Sequence, residues 1–223
     1  MTSETAALEW KPDGVPVSKV FDDPYYSLED GLSETRHVFL AGNRLPDRFR
    51  PGFHVAELGF GTGLNLIAAL LAWRQSGTPG QLYYTGFEAY PLMADEIDTA
   101  LRAFPEVRAA ADPLIDAWAR GDTSVITDDL NARIIIGDAR ETLSRWQGLA
   151  DAWFLDGFAP ARNPELWEAP LMTEVALHTA QGGTCATYTA AGFVRRALEA
   201  AGFTVDRVPG FGRKRHMTLG CLM

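Results

Sequence analysis

Residues 55–71 read V-A-E-L-G-F-G-T-G-L-N-L-I-A-A-L-L, and the rest of the chain is arranged around them. An apolar run ending at Leu58 carries one carboxylate, Glu57; Gly59, Gly61 and Gly63 then alternate with Phe60 and Thr62, and an apolar helical pattern follows. A strand that ends in closely spaced glycines and opens a helix brings bare backbone and free N–H groups against a ligand. The spacing is Gly-x-Gly-x-Gly. A dinucleotide fingerprint needs Gly-x-Gly-x-x-Gly, and its sixth position here is Leu64, which disfavours NAD. Glu57, two residues before the first glycine, suits a ligand with an amino or sulfonium group better than a pyrophosphate.

Around this turn, 223 residues with 47% hydrophobic content are enough for one packed α/β domain with a modest extension. The longest apolar runs, such as Leu64 to Trp73, break too early to span a bilayer, and the N-terminus lacks a basic-then-apolar signal pattern. Cys185 and Cys221 lie in strand-like apolar runs and read as core thiols, so a reducing cytoplasm is expected. His37, His54, His178 and His216 show no ligand spacing with each other or with cysteine, and no metal site is expected. A net charge of −9 excludes a generic nucleic-acid binder but leaves room for a local basic patch.

Upstream, residues 1–50 form an N-terminal extension that reads as a lid over a pocket or a wrap over a sheet edge; residues 51–223 carry the main domain. Asp22 and Asp23 before Pro24 predict a turn, and Gly31 to Leu40 a short helix capped by Ser33. Downstream, Gln81 to Phe87 is a second strand ending in Glu88, where a carboxylate takes ribose hydroxyls in nucleoside-binding α/β folds. Pro91 introduces a helix over Leu92 to Phe104, and the acidic stretch Ala110 to Asp129 carries a helix of its own.

Arg133 to Ile136 is a third strand, followed by Gly137-Asp138-Ala139; Ala152 to Leu155 is a fourth, running into D-G-F-A-P-A-R-N-P-E-L-W from Asp156. That polar turn at the end of a central strand points into the crevice where such sheets bind ligands. A helix over Glu165 to Ala180 ends at Gly182-Gly183, and the strand Thr184 to Tyr188 and a helix over Thr189 to Ala201 follow. Two last strands, Phe203 to Val208 and His216 to Leu222, flank P-G-F-G-R-K-R, where Arg213, Lys214 and Arg215, with Arg195 and Arg196 nearby, are placed to meet a phosphate backbone.

The glycine turn resembles motif I of class I S-adenosylmethionine-dependent methyltransferases. F-D-D-P-Y-Y-S, G-L-S-E-T, E-L-G-F-G-T-G-L-N, F-E-A-Y-P-L, D-G-F-A-P-A-R-N-P-E-L-W, T-Y-T-A-A-G-F-V-R-R-A-L and G-F-G-R-K-R together resemble the methyltransferase domain of the MnmC-type tRNA modification enzymes, from about Val17 onward. The resemblance implies a class I methyltransferase (Rossmann-like) fold, α/β and doubly wound: a mostly parallel seven-stranded sheet with an antiparallel C-terminal strand and an N-terminal extension. It implies S-adenosyl-L-methionine as cofactor, held by Glu57, Gly59, Gly61, Gly63, Asn65, Glu88, Asp138 and Asp156, with Asp138 at the adenine amino group.

The implied reaction is methyl transfer to the aminomethyl nitrogen of 5-aminomethyl-(2-thio)uridine at the tRNA wobble position. Asp156 and Phe158 would be the catalytic pair, and Tyr25, Tyr26, Arg213, Lys214 and Arg215 would contact the base and tRNA. Positioning supplies most of such a catalysis; an Asp with a pKa of about 4 is a poor base for an alkylammonium, so Asp156 is expected to orient the amine. Bifunctional members also carry an FAD-dependent oxidase domain. None follows Met223, so the expectation is no FAD in this chain and a separate oxidase or other enzyme supplying the amine. No membrane partner is expected. The competing readings are an aminopropyl- or small-molecule amine transferase using the same cofactor class, and a non-catalytic methyltransferase-like module that binds tRNA or a partner.

Overall fold

The computed structural model describes residues 5–12, 14–27 and 30–223. Three short strands, β1 (Leu8–Trp10), β2 (Pro16–Ser18) and β3 (Asp23–Pro24), precede helix α1 (Gly31–Thr35), which continues as a π turn over Arg36–Leu40 and a 3-10 turn over Ala41–Asn43. Next come β4 (His54–Leu58), α2 (Leu64–Ser76), β5 (Leu82–Glu88), α3 (Ala94–Leu101), α4 (Pro105–Ala110), α5 (Asp112–Ala119), β6 (Ser124–Ile126) and β7 (Leu130–Ile136). The chain finishes with α6 (Ala139–Thr142), β8 (Ala150–Leu155), α7 (Ala169–Leu177), β9 (Thr179–Thr187), α8 (Gly192–Ala200), β10 (Phe203–Pro209) and β11 (His216–Leu222).

The main sheet has the order β10-β11-β9-β8-β4-β5-β7-β6; β1, β2 and β3 form a small antiparallel sheet of their own. The five strands from β9 to β7 are parallel, while β6 on one side and β11 with β10 on the other are antiparallel. This is the expected doubly wound sheet with its C-terminal hairpin, but with eight strands rather than seven. The extra strand, β6, lies in the acidic stretch for which only a helix was predicted; three residues pairing with β7 are too short for a period-2 signal.

Both faces of the sheet are covered. Val55, Tyr84, Ala152 and Phe154 pack into one apolar cluster and Ala56, Leu58, Phe87, Trp153 and Leu155 into another, which is why the central strands read as unbroken apolar runs. Each fully buried large side chain contributes roughly 1.5–3 kcal/mol. Helix α2 is apolar nearly all round because α1, its π turn and α4 cover the side turned from the sheet. It ends at Gly77, whose left-handed backbone closes the last turn.

Several boundaries differ from the sequence expectation: β7 starts at Leu130, α7 at Ala169 and α8 at Gly192. Asp30, not Ser33, caps α1, accepting from the Ser33 N–H at 2.9 Å. Asp23-Pro24 is paired with β2 rather than forming only a turn. The helix around residue 97 spans Ala94–Leu101 only. Gly182-Gly183 lies inside β9, which starts at Thr179, so α7 ends earlier, at Leu177.

The N-terminal segment is tied to the sheet by side chains. Asn43 donates to the Phe39 and Trp153 carbonyls, and Arg48 to the carbonyls of Asn43, Asp151 and Gly182 and to Thr184 Oγ1. Each such bond is worth about 1 kcal/mol, and removing one partner costs more because the other is stranded. Among the described residues no helix is long and apolar enough to cross a membrane. Cys185 is buried and Cys221 half-buried, both as free thiols.

Candidate active site

From β4 the chain passes to β5 and on to the edge strand β6, fills the gap between them with β7, then crosses to the other side of β4 with β8 and continues outward through β9 to the β10–β11 hairpin. The order reverses between β4 and β8, so the crevice falls where Gly59 leaves one strand and Asp156 the other. The Asp156 N–H donates to the Leu58 carbonyl at 3.0 Å, holding the two ends together. Above them opens a cavity of about 660 Å³, walled by the glycine turn, Glu88 to Tyr90, Gly137 to Arg140, Asp156 to Ala159, Phe21 to Ser27, and Phe211 to Lys214.

One end of the cavity is made mostly of backbone. Gly59 has φ +80°, and a Cβ there would stand 1.9 Å from the Asp156 carbonyl oxygen. Its hydrogen therefore makes room for β8's turn, not for a ligand as the sequence suggested. At Gly61 a Cβ would meet the Tyr25 ring at 3.2 Å and narrow the cradle between turn and ring. Gly63 serves packing, against Leu114 and Phe60. Glu88 accepts from the Gly61 N–H and the Tyr90 N–H, both at 2.8 Å, and burial raises its pKa. The two oxygens offer about four lone-pair sites, more than these bonds use, as a diol-binding carboxylate needs.

Two expected contacts are placed otherwise. Glu57 is fully buried and does not line the cavity; it accepts from Asn65 Nδ2 at 2.7 Å and from the Tyr84 hydroxyl at 2.6 Å. Burial, then the Asp156 charge, pushes Glu57 well above the usual carboxylate range. It touches the site only through Asn65, whose amide also donates to Asp156 Oδ2 at 2.7 Å and is oriented by the Thr35 hydroxyl donating to its Oδ1. Asp138 does line the cavity, but it caps α6 and is paired with Arg140 at 2.6 Å, which lowers its pKa.

The other end is acidic and aromatic. Asp156 is half-buried, and desolvation raises its pKa from 3.8 to about 7, with Glu34 and Asp23 adding to the shift and Asn65 and Lys214 opposing it. Phe158 stacks on Phe21 (centroids 4.8 Å, 26° between planes) and meets Tyr25 edge-on at 5.1 Å. Tyr26 also lines the cavity, but its hydroxyl donates to the Ala100 carbonyl and its ring lies against Phe104. Asp23 accepts from the Ala159 N–H at 2.7 Å, fastening β3 to the D-G-F-A-P turn.

The basic run is split by the fold. Arg213 and Lys214 line the cavity, whereas Arg215 does not. Lys214 points inward: its ammonium donates to Glu34 Oε1 at 2.7 Å and lies 3.9 Å from the Tyr188 ring centroid. Sequence reasoning missed Phe21, Asp23, Glu34, Tyr90 and Tyr188 as lining residues. All five lie within segments that carried the family resemblance; none sits in a pattern that assigns it chemistry.

A doubly wound sheet with a glycine turn after its first main strand, a carboxylate ending the next, and a ligand crevice at the switch point is the class I methyltransferase-like fold. The profile of the S-adenosyl-L-methionine-dependent methyltransferase family matches residues 105–223, more than half of the chain, and the protein belongs to that family. Among curated relatives, the tRNA 5-methylaminomethyl-2-thiouridine biosynthesis bifunctional protein MnmC of Caulobacter vibrioides is 48% identical over 216 residues, covering 93% of this chain and 36% of its own length. The protein of the same name from Chromohalobacter salexigens is 42% identical, covering 96% and 32%. The chain thus spans about a third of the length of these relatives.

Among solved structures, MnmC2 from Aquifex aeolicus superposes with TM-score 0.78 at 24% identity, over 99% of this chain and 72% of that one. Spermidine synthase from Thermotoga maritima gives 0.59 at 13%, over 96% and 67%. Both show the fold alone, which therefore does not separate methyl from aminopropyl transfer; the family does. The residues present fit the family's cofactor: Glu88 offers lone pairs beside the side-chain-free backbone at Gly61, and Asp156 offers a carboxylate at the far side.

Proposed function

We propose that the protein transfers a methyl group from S-adenosyl-L-methionine to the aminomethyl nitrogen of 5-aminomethyl-(2-thio)uridine at the tRNA wobble position. The observation that carries this reading is a half-buried carboxylate, Asp156, opening onto an aromatic group formed by Phe21, Tyr25 and Phe158. Flat rings beside an acid suit an unstacked base that bears an amine. The names of the curated relatives support tRNA as the carrier of that base.

The bound cofactor supplies an electrophilic methyl group on a sulfonium. Glu88 would hold its ribose and the backbone around Gly61 would lie against it, while Asn65 fixes the carboxyl of Asp156. Asp156 accepts a hydrogen bond from the acceptor nitrogen and aligns its lone pair. With a pKa of about 7 it also takes the proton that nitrogen must lose, a stronger role than an ordinary aspartate allows. Phe158, with Tyr25, packs against the uracil, Tyr26 braces the wall behind them, and Arg213 and Arg215 face the phosphates. Glu57 acts behind Asn65 rather than on the cofactor, and Asp138 reaches an adenine amino group only if Arg140 shares it.

Residues 1–50 serve as an extension that lids the cavity of the transferase domain, 51–223. In this reading an activity other than this methyltransferase domain, such as an oxidase, exposes the aminomethyl group, and we place the reaction in the cytoplasm. Mass analysis of nucleosides tests the whole: tRNA bearing aminomethyluridine, incubated with protein and S-adenosyl-L-methionine, gains one methyl on that nucleoside. Unchanged wobble nucleosides under conditions where the cofactor binds would overturn the reading.

A further inference from the structure

The position of the Lys214 ammonium is chemically specific. It contacts the Glu34 carboxylate at 2.7 Å and the face of Tyr188 at 3.9 Å, and it lies within electrostatic reach of Asp156. An acid, an aromatic face and a second acid around one small cation are the means by which proteins recognise alkylammonium groups. The walls of this cage are fixed. The Glu34 side chain is 11% exposed and sits on α1, and the Tyr188 hydroxyl donates to the Gly157 carbonyl at 2.6 Å. The cation itself sits on a long flexible stem, its side chain 43% exposed, on the turn between β10 and β11. Arg213 and Arg215 stand beside it on that turn.

We propose that Glu34, Tyr188 and Asp156 form the subsite for the substrate's alkylammonium group, and that Lys214 is its stand-in, filling the subsite in the free protein and swinging to the phosphate-bearing rim when the acceptor arrives. This rests on the amine acceptor proposed above and assigns its recognition to residues that no sequence pattern marked. The exchange keeps charge balanced: Glu34 never faces the cavity as an unpaired buried anion, a costly state. A cationic acceptor replaces Lys214 charge for charge, whereas a hydroxyl-bearing analogue of the same shape leaves Glu34 unpaired and is rejected. The cage thus selects amine over alcohol before any methyl moves.

Calorimetry with S-adenosylhomocysteine present, so that no turnover occurs, tests this with two nucleosides, 5-aminomethyluridine and 5-hydroxymethyluridine. Removal of the competitor in Lys214→Met tightens aminomethyl binding about tenfold, Glu34→Gln weakens it about tenfold, and the hydroxymethyl nucleoside changes little in either. Equal or weaker aminomethyl binding by a folded Lys214→Met protein overturns the proposal. The wild-type protein supplies a test independent of folding. The side-chain ¹⁵N resonance of Lys214 shifts on adding the aminomethyl nucleoside and not the hydroxymethyl one; a resonance that ignores both overturns the stand-in role. Methylation of tRNA without these differences sinks the cage alone, and the differences without methylation sink only the proposed reaction.

Discussion

The two ends of the cavity are built by different means. The end proposed for the cofactor comes from one continuous stretch and one strand end: the Gly59 N–H donates to the Phe87 carbonyl and the Gly61 N–H to the Glu88 carboxylate, so backbone donors hold it together. The acceptor end gathers Phe21, Asp23 and Glu34 from the N-terminal segment, Asp156 and Phe158 from the β8 turn, and Tyr188 and Lys214 from the C-terminal third. Backbone geometry can be written in a short motif because glycine spacing specifies it. A pocket assembled from side chains of three distant segments has no local signature, and it can change specificity without disturbing the cofactor.

The largest predicted effect would break the contrast by damaging both ends at once. Gly59→Ala puts a methyl group 1.9 Å from the Asp156 carbonyl on a backbone with φ +80°. A loss of about 3 kcal/mol or more in denaturant unfolding is expected; wild-type stability would show that the ends are not locked together there.

Asp156→Asn separates the ends. Methylation should fall about 10²–10³-fold, while cofactor affinity measured by calorimetry stays within about threefold of the wild type. Stability should move the other way. The folded pKa is raised from 3.8 to about 7, so the folded state holds this proton more tightly than the unfolded chain; that contribution is full below 3.8 and lost as pH rises through about 7. Asparagine cannot ionise, and at pH 8 the variant should gain about 1–2 kcal/mol over the wild type, the full shift being discounted for partial solvent access. In the wild type, methylation should rise with pH through a midpoint near 7, where Asp156 becomes able to accept a proton. A flat profile between pH 6 and 8 would remove that role.

Smaller effects sharpen the comparison. Glu88→Ala should weaken cofactor binding about tenfold, the worth of a charge-assisted hydrogen bond, and leave tRNA affinity in a filter-binding assay unchanged. Phe158→Leu should raise KM for tRNA a few-fold, about the 1 kcal/mol of one aromatic contact, with cofactor affinity untouched. Equal effects of both variants on both ligands would dissolve the distinction between the ends.

The sequence was most readable where local rules apply. The strand-turn-helix at 54–76, the carboxylate ending β5 and the hairpin of β10 and β11 each follow from a period, a glycine or a short connection. It was less readable where pairing is short or neighbours compete. The edge strand β6 has three residues, and the Asp30 cap won over Ser33 because Asp30 accepts from both the N–H and the hydroxyl of Ser33. Lys214 shows what a local pattern omits. A run of three cations reads as a phosphate patch, and the middle one points inward to an acid on α1, 180 residues away in the chain.

By itself the sequence determined a doubly wound α/β domain, a nucleoside-type ligand after the first main strand, and the family. Those features depend on backbone conformation and apolar periodicity, which act over a few residues. Only the tertiary structure decided which carboxylates face the cavity, that Glu57 is bonded to Asn65 and Tyr84 behind its wall, that burial pushes the pKa of Asp156 up to about 7, and where Lys214 points. Burial and charge proximity set those properties, and both depend on which distant segments meet.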